Sequence, residues 1–228
     1  HRGQESAGIS VSDRSTVRVH TAMGLVAQAF KESDLERLSG DLAIGHTRYS
    51  TTGSTDLSNA QPYLVDGPYG QLALGHNGNL VNAGPLRSEL EDMGCRFESG
   101  TDSEVIAQLL ANAPGKNWGE RIGHLMRKIQ GAYSLVVLTK DSVMAIRDPL
   151  GVRPLCVGKL NNGWVIASES CALDHLGARF IREVQPGEVV RADAGGLTSW
   201  FPLSRRDIDV VPAPQKLCLL EFIYFARP

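Results

Sequence analysis

Apolar and polar positions alternate with a period of two over much of this chain, the pattern of strands with one face buried. The stretches "DLAIGHTRYS" and "QLALGHNGNL" share a core of the form L-A-[IL]-G-H, at Leu42–His46 and Leu72–His76. Either the likeness is coincidence in a β-rich chain, or two related strands run alongside each other and deliver their polar ends to one place. A period near 3.6 takes over further on. Leu86, Leu90 and Met93 fall on one face of "GPLRSELEDMG", which ends at Gly94 as a helix C-cap would. "TDSEVIAQLLANAPG" opens with the capping-box pattern Thr101-x-x-Glu104 and stops at Pro114-Gly115. "ERIGHLMRKIQG" places Ile122, Leu125, Met126 and Ile129 at helical spacing. Strands return beyond Gly131, in "AYSLVVLT", "SVMAIR", "LCVGKL", "WVIASES", "GEVVRAD" and "LTSWF", with hairpin turns at Asn161-Asn162-Gly163 and Ala194-Gly195-Gly196. A linker-like "VVPAPQK" precedes a last apolar strand, "LCLLEFIYF". Strands and helices come in blocks instead of strict βαβ alternation, which predicts an α+β fold with antiparallel sheets.

Composition narrows the function classes. The 228 residues, 42% hydrophobic and 21% charged, suit a globular domain with a sizeable core. A net charge of −2 provides no basic footprint for nucleic acid. No apolar run approaches the ~20 residues that span a bilayer. The cysteines, Cys95, Cys156, Cys171 and Cys218, stand singly with no C-x-x-C pair, a pattern that suits a reduced cytoplasm better than a disulfide scaffold or zinc ribbon. The start "HRGQ" is neither an initiator nor a secretion signal, so a leader has been removed or the chain is a piece of something longer.

Three segments carry candidate chemistry, each with a plain alternative. In "GHTRYSTTG", Arg48 is either a surface arginine at a strand end or a two-pronged clamp for a carboxylate, with Thr51 adding a contact. In "GHNGNL", Asn77-Gly78 is either a hairpin turn or an oxyanion hole of one side-chain amide and one backbone N–H. Asp102 in "SGTDSE" is either a helix cap or a carboxylate that holds an ammonium. "RDPLGVRPL" reads as a stiff connecting loop. Together, a carboxylate clamp, an ammonium partner and an oxyanion hole describe a site for an α-amino acid attacked at its side-chain carbonyl. Glutamine is the obvious candidate; the nucleophile is missing.

Nine runs occur in order: "HRGQESAGI", "GHTRYSTTG", "NAQP", "GHNGNLVN", "TDSE", "RDPLGVRPL", "ASES", "PGE" and "EFIYFARP". They resemble the glutaminase domain of the amidophosphoribosyltransferase family, within the class II (N-terminal-nucleophile) glutamine amidotransferases. The resemblance spans essentially the whole chain. It implies a four-layer αββα sandwich missing its first strand and helix, with residues 1–211 forming the glutaminase domain and 212–228 the connection to a phosphoribosyltransferase domain. It also implies roles. Arg48 and Thr51 would hold the glutamine α-carboxylate; Asp102 and the Gly78 backbone, the α-ammonium; Asn77 and Gly78, the oxyanion. Arg2 would order the nucleophile, and Tyr224 would sit at the domain interface.

The family's nucleophile is an N-terminal Cys whose own α-amine, of unperturbed pKa ~7.7–8.0, takes the thiol proton. This chain is therefore expected to be a fragment, inactive alone. In the intact enzyme, glutamine would be hydrolysed to glutamate, and ammonia would displace pyrophosphate from phosphoribosyl pyrophosphate with Mg²⁺ in the acceptor domain. A homo-oligomer, dimer or tetramer, is implied, with no nucleic acid or membrane partner. Cys218 is either core packing or, as in one branch of the family, a ligand of a [4Fe–4S] cluster. The rival readings are another class II enzyme, such as glutamine–fructose-6-phosphate aminotransferase, glutamate synthase or asparagine synthetase, and a non-catalytic glutamine-binding domain.

Overall fold

The structure, a computed structural model, describes residues 5–48, 56–203 and 216. Arg2, Thr51, Cys218, Tyr224 and the strand expected in "LCLLEFIYF" lie outside the described residues. In chain order the elements are β1 (Ser6–Ser12), β2 (Val17–Met23), α1 (Val26–Ala29), α2 (Glu32–Arg37), β3 (Leu42–Arg48), a 3₁₀ turn (Leu57–Asn59), β4 (Tyr63–Gly67), β5 (Gly70–Leu80), α3 (Ala83–Asp92), α4 (Asp102–Asn112), α5 (Trp118–Lys128), β6 (Gly131–Leu138), β7 (Ser142–Arg147), β8 (Cys156–Leu160), β9 (Gly163–Ala167), α6 (Ser170–Leu176), β10 (Arg179–Glu183), β11 (Val189–Asp193) and β12 (Gly196–Trp200). Helices and strands come in blocks, and the hairpins are antiparallel, as the block pattern predicts.

The chain divides into two units, one of residues 1–76, 82–114 and 136–143, the other of 77–81, 115–135 and 144–228. Three strands, β5, β6 and β7, lie partly in each, as the middle strands of a sheet ordered β12-β11-β7-β6-β5-β4.

In the first unit, β1 is the centre of a β2-β1-β3 sheet, and β4 pairs with β5. Alternation decides which side chains face where. Val17 and Ile44 from the first sheet meet Ala73 of β5 and Leu138 of β6 in one buried cluster, so the two sheets pack face to face. The flanking Leu72 and Leu74 point the other way and are fully buried too, and α4 packs on β4 with α3 beside it. The shared Leu-Ala-Ile/Leu-Gly-His core thus belongs to two strands in different sheets. They stack instead of pairing side by side: His46 Nε2 lies 3.1 Å from the His76 backbone O. With both faces of β5 buried, the small residues of the repeat, such as Gly75, allow that stacking.

Close packing gives a first test. A Cβ built on Gly8 of β1 would sit 2.2 Å from Gln61 O and 2.8 Å from Thr21 Cγ2. Backbone cannot yield as a side chain can, so Gly8→Ala should destabilise by ~1–3 kcal/mol, the range of overpacked cores. At ~2–4 °C per kcal/mol for a chain of this size, the melting midpoint should fall by several degrees. An unchanged midpoint would show that Gln61 moves freely.

In the second unit, β8 pairs with β9 and β10. Leu155, Val157, Ala145, Val184 and Val190 form one buried cluster, and Cys156, Leu173 and Ala178 another. Successive residues of β8 therefore feed opposite faces, with α6 covering the second. The hairpin turns expected at Asn161–Gly163 and Ala194–Gly196 are present, with Leu160 opposite Gly163 and Asp193 opposite Gly196.

Three local expectations are corrected. Met93 does not join Leu86 and Leu90 in the core. It is 65% exposed, because α3 ends at Asp92 and Met93 is already the C-cap before Gly94 at φ 92°. The capping box at Thr101 is half formed. Thr101 Oγ1 accepts the Glu104 N–H, but the Glu104 carboxylate turns to the N–H groups of Glu98 and Ser99. "WVIASES" stops being a strand at Ala167, and Ser170–Leu176 is helical, ended by left-handed Gly177.

"RDPLGVRPL" is more than a connector. Arg147 is 2% exposed, and its guanidinium donates to the carbonyls of Arg153, Gly151 and Val184 and to Glu183. Asp148, completely buried, accepts from the Leu150 and Val152 N–H groups at 2.9 and 3.0 Å. Burial pushes its carboxyl above the usual range against those hydrogen bonds.

Candidate active site

Arg48 closes β3, opposite Ser6 in the register with β1. It is buried, with 7% of its side chain exposed, and its Nη1 lies 3.7 Å from Glu5 Oε2. The surface-arginine reading fails on that burial.

Asp102 is the first residue of α4, and the cap is its neighbour Thr101. Its carboxylate gains from the helix N-terminus while 19% of it stays exposed, open to a ligand. The segment before it is pinned from several sides. Glu104 Oε1 accepts from Glu98 N at 2.9 Å, and Oε2 from Ser99 N and Oγ at 2.7 and 2.6 Å. Thr101 Oγ1 donates to Tyr63 Oη at 2.8 Å. Burial raises the Tyr63 phenol pKa, opposed by hydrogen bonds from Ser99 and Thr101, and Tyr63 also feels both Glu104 and the Arg48 guanidinium. Tyr63, on β4, thus braces the cap of the helix that starts at Asp102.

Behind Asp102 lies a buried polar network. Gln61 Oε1 accepts the His76 backbone N–H at 2.7 Å, and Gln61 Nε2 donates to Ser103 Oγ at 3.0 Å. His76 Nδ1 is 3.0 Å from Ser103 Oγ, which is 3.4 Å from Asp102 Oδ1.

Asn77 and Gly78 follow His76 within β5. The strand continues to Leu80, and its hairpin turn lies at the other end, where Gly67 pairs with Gly70. The turn reading of Asn77-Gly78 therefore fails. Asn77 Nδ2 is buried and has no hydrogen-bond partner among the described residues. A buried amide donor left unpaired costs ~1–3 kcal/mol, a cost that a ligand acceptor would relieve.

Of the residues singled out by sequence, Arg48, Asn77, Gly78 and Asp102 are described, and Arg48 and Asp102 both belong to the first unit. Sequence reasoning missed Gln61, Tyr63, His76 and Ser103. Three of them sit inside motifs already marked, "NAQP", "GHNGNL" and "TDSE", which is the signal that could have found them. Among the described residues no group of three or more His, Cys, Asp or Glu is placed to hold a metal ion, and no helix is long and apolar enough to cross a membrane.

Comparison with known proteins agrees with this geometry. The pattern of the family described as "Glutamine amidotransferase domain" matches residues 46–175. The whole chain aligns with the amidophosphoribosyltransferase of Mus musculus at 43% identity, covering 48% of that protein. It aligns with that of Synechococcus elongatus at 48% identity, covering 46%. The solved structure of glutamine phosphoribosylpyrophosphate amidotransferase from B. subtilis, complexed with ADP and GMP, superposes on all of this chain and 48% of its own. Its TM-score is 0.89 at 37% identity, so the mixed α+β fold with antiparallel sheets is that of an N-terminal-nucleophile glutaminase domain. The chain spans about half the length of the curated relatives it matches. A pattern match over more than half of its residues, on the stretch that holds Arg48, Asn77, Gly78 and Asp102, places this chain in the glutamine amidotransferase domain family.

Proposed function

We propose that this chain is the glutaminase part of an amidophosphoribosyltransferase, which releases ammonia from glutamine for transfer to phosphoribosyl pyrophosphate. The observation that carries the reading is the buried, unpartnered Asn77 amide on a strand that continues from His76. The agreement of curated relatives over the whole chain supports the choice of acceptor over other class II enzymes.

In this reading Arg48 grips the glutamine α-carboxylate with its fork, helped by Thr51, and Asp102 with the Gly78 backbone holds the α-ammonium. The full-length protein supplies an N-terminal Cys, ordered by Arg2. Its thiolate attacks the side-chain carbonyl carbon. As the C–S bond forms, the carbonyl π pair moves to oxygen, where Asn77 Nδ2 and the Gly78 N–H receive it. Collapse of the intermediate expels the amide nitrogen as ammonia once it has gained a proton, and water cleaves the thioester to glutamate. A donor already in place and desolvated needs no reorganisation as charge develops. Tyr224 belongs in this reading to the connection to the acceptor domain, where Mg²⁺ would serve the pyrophosphate leaving group, and the enzyme would work as a homo-oligomer in the cytoplasm. Cys218 keeps both readings, packing and cluster ligand, and iron and acid-labile sulfide analysis of anaerobically purified wild type and Cys218→Ser decides between them.

The direct test is glutamate and pyrophosphate formation by the full-length protein from glutamine and phosphoribosyl pyrophosphate. Turnover with fructose 6-phosphate instead would assign a different acceptor. Within the site, Arg48→Lys should raise KM for glutamine by ~10-fold or more with a smaller change in kcat. A point charge cannot reproduce a bidentate clamp on a carboxylate. A KM within twofold of wild type would remove Arg48 from the clamp.

A further inference from the structure

We propose that His76 and Ser103 are positioning residues that fix the Asp102 carboxylate for the ammonium group of the substrate, through an ordered chain of hydrogen bonds. The inference rests on the reading of Asp102 given above. It starts from a donor that has no freedom: the His76 backbone N–H can only donate, and it points at a Gln61 side-chain oxygen 2.7 Å away. That fixes the orientation of the Gln61 amide. Its nitrogen, 3.0 Å from Ser103 Oγ, must therefore be the donor there.

Ser103 Oγ has one proton and two neighbours that could take it, His76 Nδ1 at 3.0 Å and Asp102 Oδ1 at 3.4 Å. An ionised carboxylate can only accept. If His76 Nδ1 were bare, it would compete with Asp102 for the single serine proton. If Nδ1 carries the proton, every contact of Ser103 Oγ is satisfied at once. Ser103 Oγ then accepts from Gln61 Nε2 and from His76 Nδ1–H, fills both lone pairs, and turns its own proton to Asp102. The network is buried: Gln61 is 6% exposed, His76 4% and Ser103 3%. In such surroundings a satisfied network fixes one arrangement and a partly satisfied one is costly. His76 Nδ1 also lies 3.8 Å from Asp102 Oδ1.

The consequence is positional. Oδ1 of Asp102 is tied back to the protein, and the partly exposed carboxylate is held in a fixed direction. Neither His76 nor Ser103 touches substrate. Their loss should weaken glutamine binding and leave the chemical step alone.

The test uses the full-length protein and two substrates, glutamine and glutaramate, which is glutamine without its α-ammonium. Ser103→Ala should raise KM for glutamine by ~5–10-fold, the effect of losing one hydrogen bond of ordinary strength, with kcat changed less than ~2-fold. His76→Phe, which keeps a ring but no donor, should do the same in smaller measure. His76→Asn restores an N–H near the Nδ1 position and should return KM toward wild type. With glutaramate, none of these variants should change KM, since there is no ammonium for Asp102 to meet. Ser103→Ala added to Asp102→Asn should have no further effect. If Asp102→Asn raises KM for glutamine but Ser103→Ala does not, the positioning role is wrong and the ammonium site stands. If Asp102→Asn has no effect, both fall. Equal losses on glutamine and glutaramate would mark His76 and Ser103 as core residues only and overturn the proposal, even if a variant also melts early.

Discussion

Replacing Asn77 with alanine in the full-length protein should lower kcat for glutamine hydrolysis by ~10²–10³ with little change in KM, the usual cost of one oxyanion donor. The reason lies in where the amide is. Nδ2 is buried and has no partner among the described residues, and against a neutral ground-state carbonyl it gains little. Its full strength appears only when negative charge develops on the substrate oxygen. Stability should move in the opposite direction: removing an unsatisfied buried donor takes away a penalty of ~1–3 kcal/mol, partly offset by the space left. Asn77→Ala should therefore melt at or above the wild-type temperature while turning over far more slowly. A variant that loses activity only through a raised KM, or through early melting, would show that Asn77 serves binding or folding and not the transition state.

Parts of this were legible in the sequence, for reasons that particular residues make plain. Asn161-Asn162-Gly163 declares a tight turn through local backbone preference, and the turn is where the residues put it, with Asn161 at φ 50°. The same dipeptide logic misreads Asn77-Gly78, because β5 is covered on both faces and tertiary packing carries the strand through a local turn signal. Arg48, Asp102 and Asn77 could be named because each has a chemistry that its residue type announces. Gln61 and Ser103 could not. Their roles depend on a geometry that closes over 42 residues of chain, between Gln61 Nε2 and Ser103 Oγ. Arg147 is the extreme case: a charge that sequence rules put on the surface is the hub of four hydrogen bonds. Its partners are mainly backbone carbonyls, which leave no trace in residue types. Helix α6 escaped notice because its seven residues, Ser170–Leu176, are too few for a period to show against the strand before them.

The largest expected effect on stability belongs to a pair that the sequence did not suggest. Arg182 Nη1 and Nη2 donate to Glu188 Oε2 and Oε1, each at 2.7 Å, and Oε2 also accepts the Gln185 N–H at 2.7 Å. The Glu188 side chain is 3% exposed and that of Arg182 36%. Burial alone would raise the Glu188 carboxyl, but the guanidinium fork and the Gln185 N–H outweigh it and hold the group below its usual value of 4.5. A carboxyl depressed on folding contributes stability that is fully present above its unfolded pKa and is lost as pH falls through the folded value. Arg182→Ala removes the fork and leaves a buried charge. The cost should be ~3 kcal/mol at pH 7, the low end of the range for breaking a buried pair, because solvent reaches Arg182. At ~2–4 °C per kcal/mol, the melting midpoint drops by roughly 6–12 °C. With the fork gone, the burial that pushes the Glu188 carboxyl up meets less opposition, so acidification neutralises it in the variant before the wild type. The deficit should therefore shrink as pH falls from 7 toward 5, and Glu188→Gln added to Arg182→Ala should recover much of it at pH 7. The damage should spread along the backbone, since Arg147 N donates to Glu188 O at 3.1 Å and Gly187 N to Asp148 O at 3.0 Å. Amide exchange at residues 147–152 should accelerate with the mutation. A midpoint shift that is the same at pH 5 and pH 7 would mean that Glu188 is solvated once Arg182 is gone, and that the pair contributes packing and not charge.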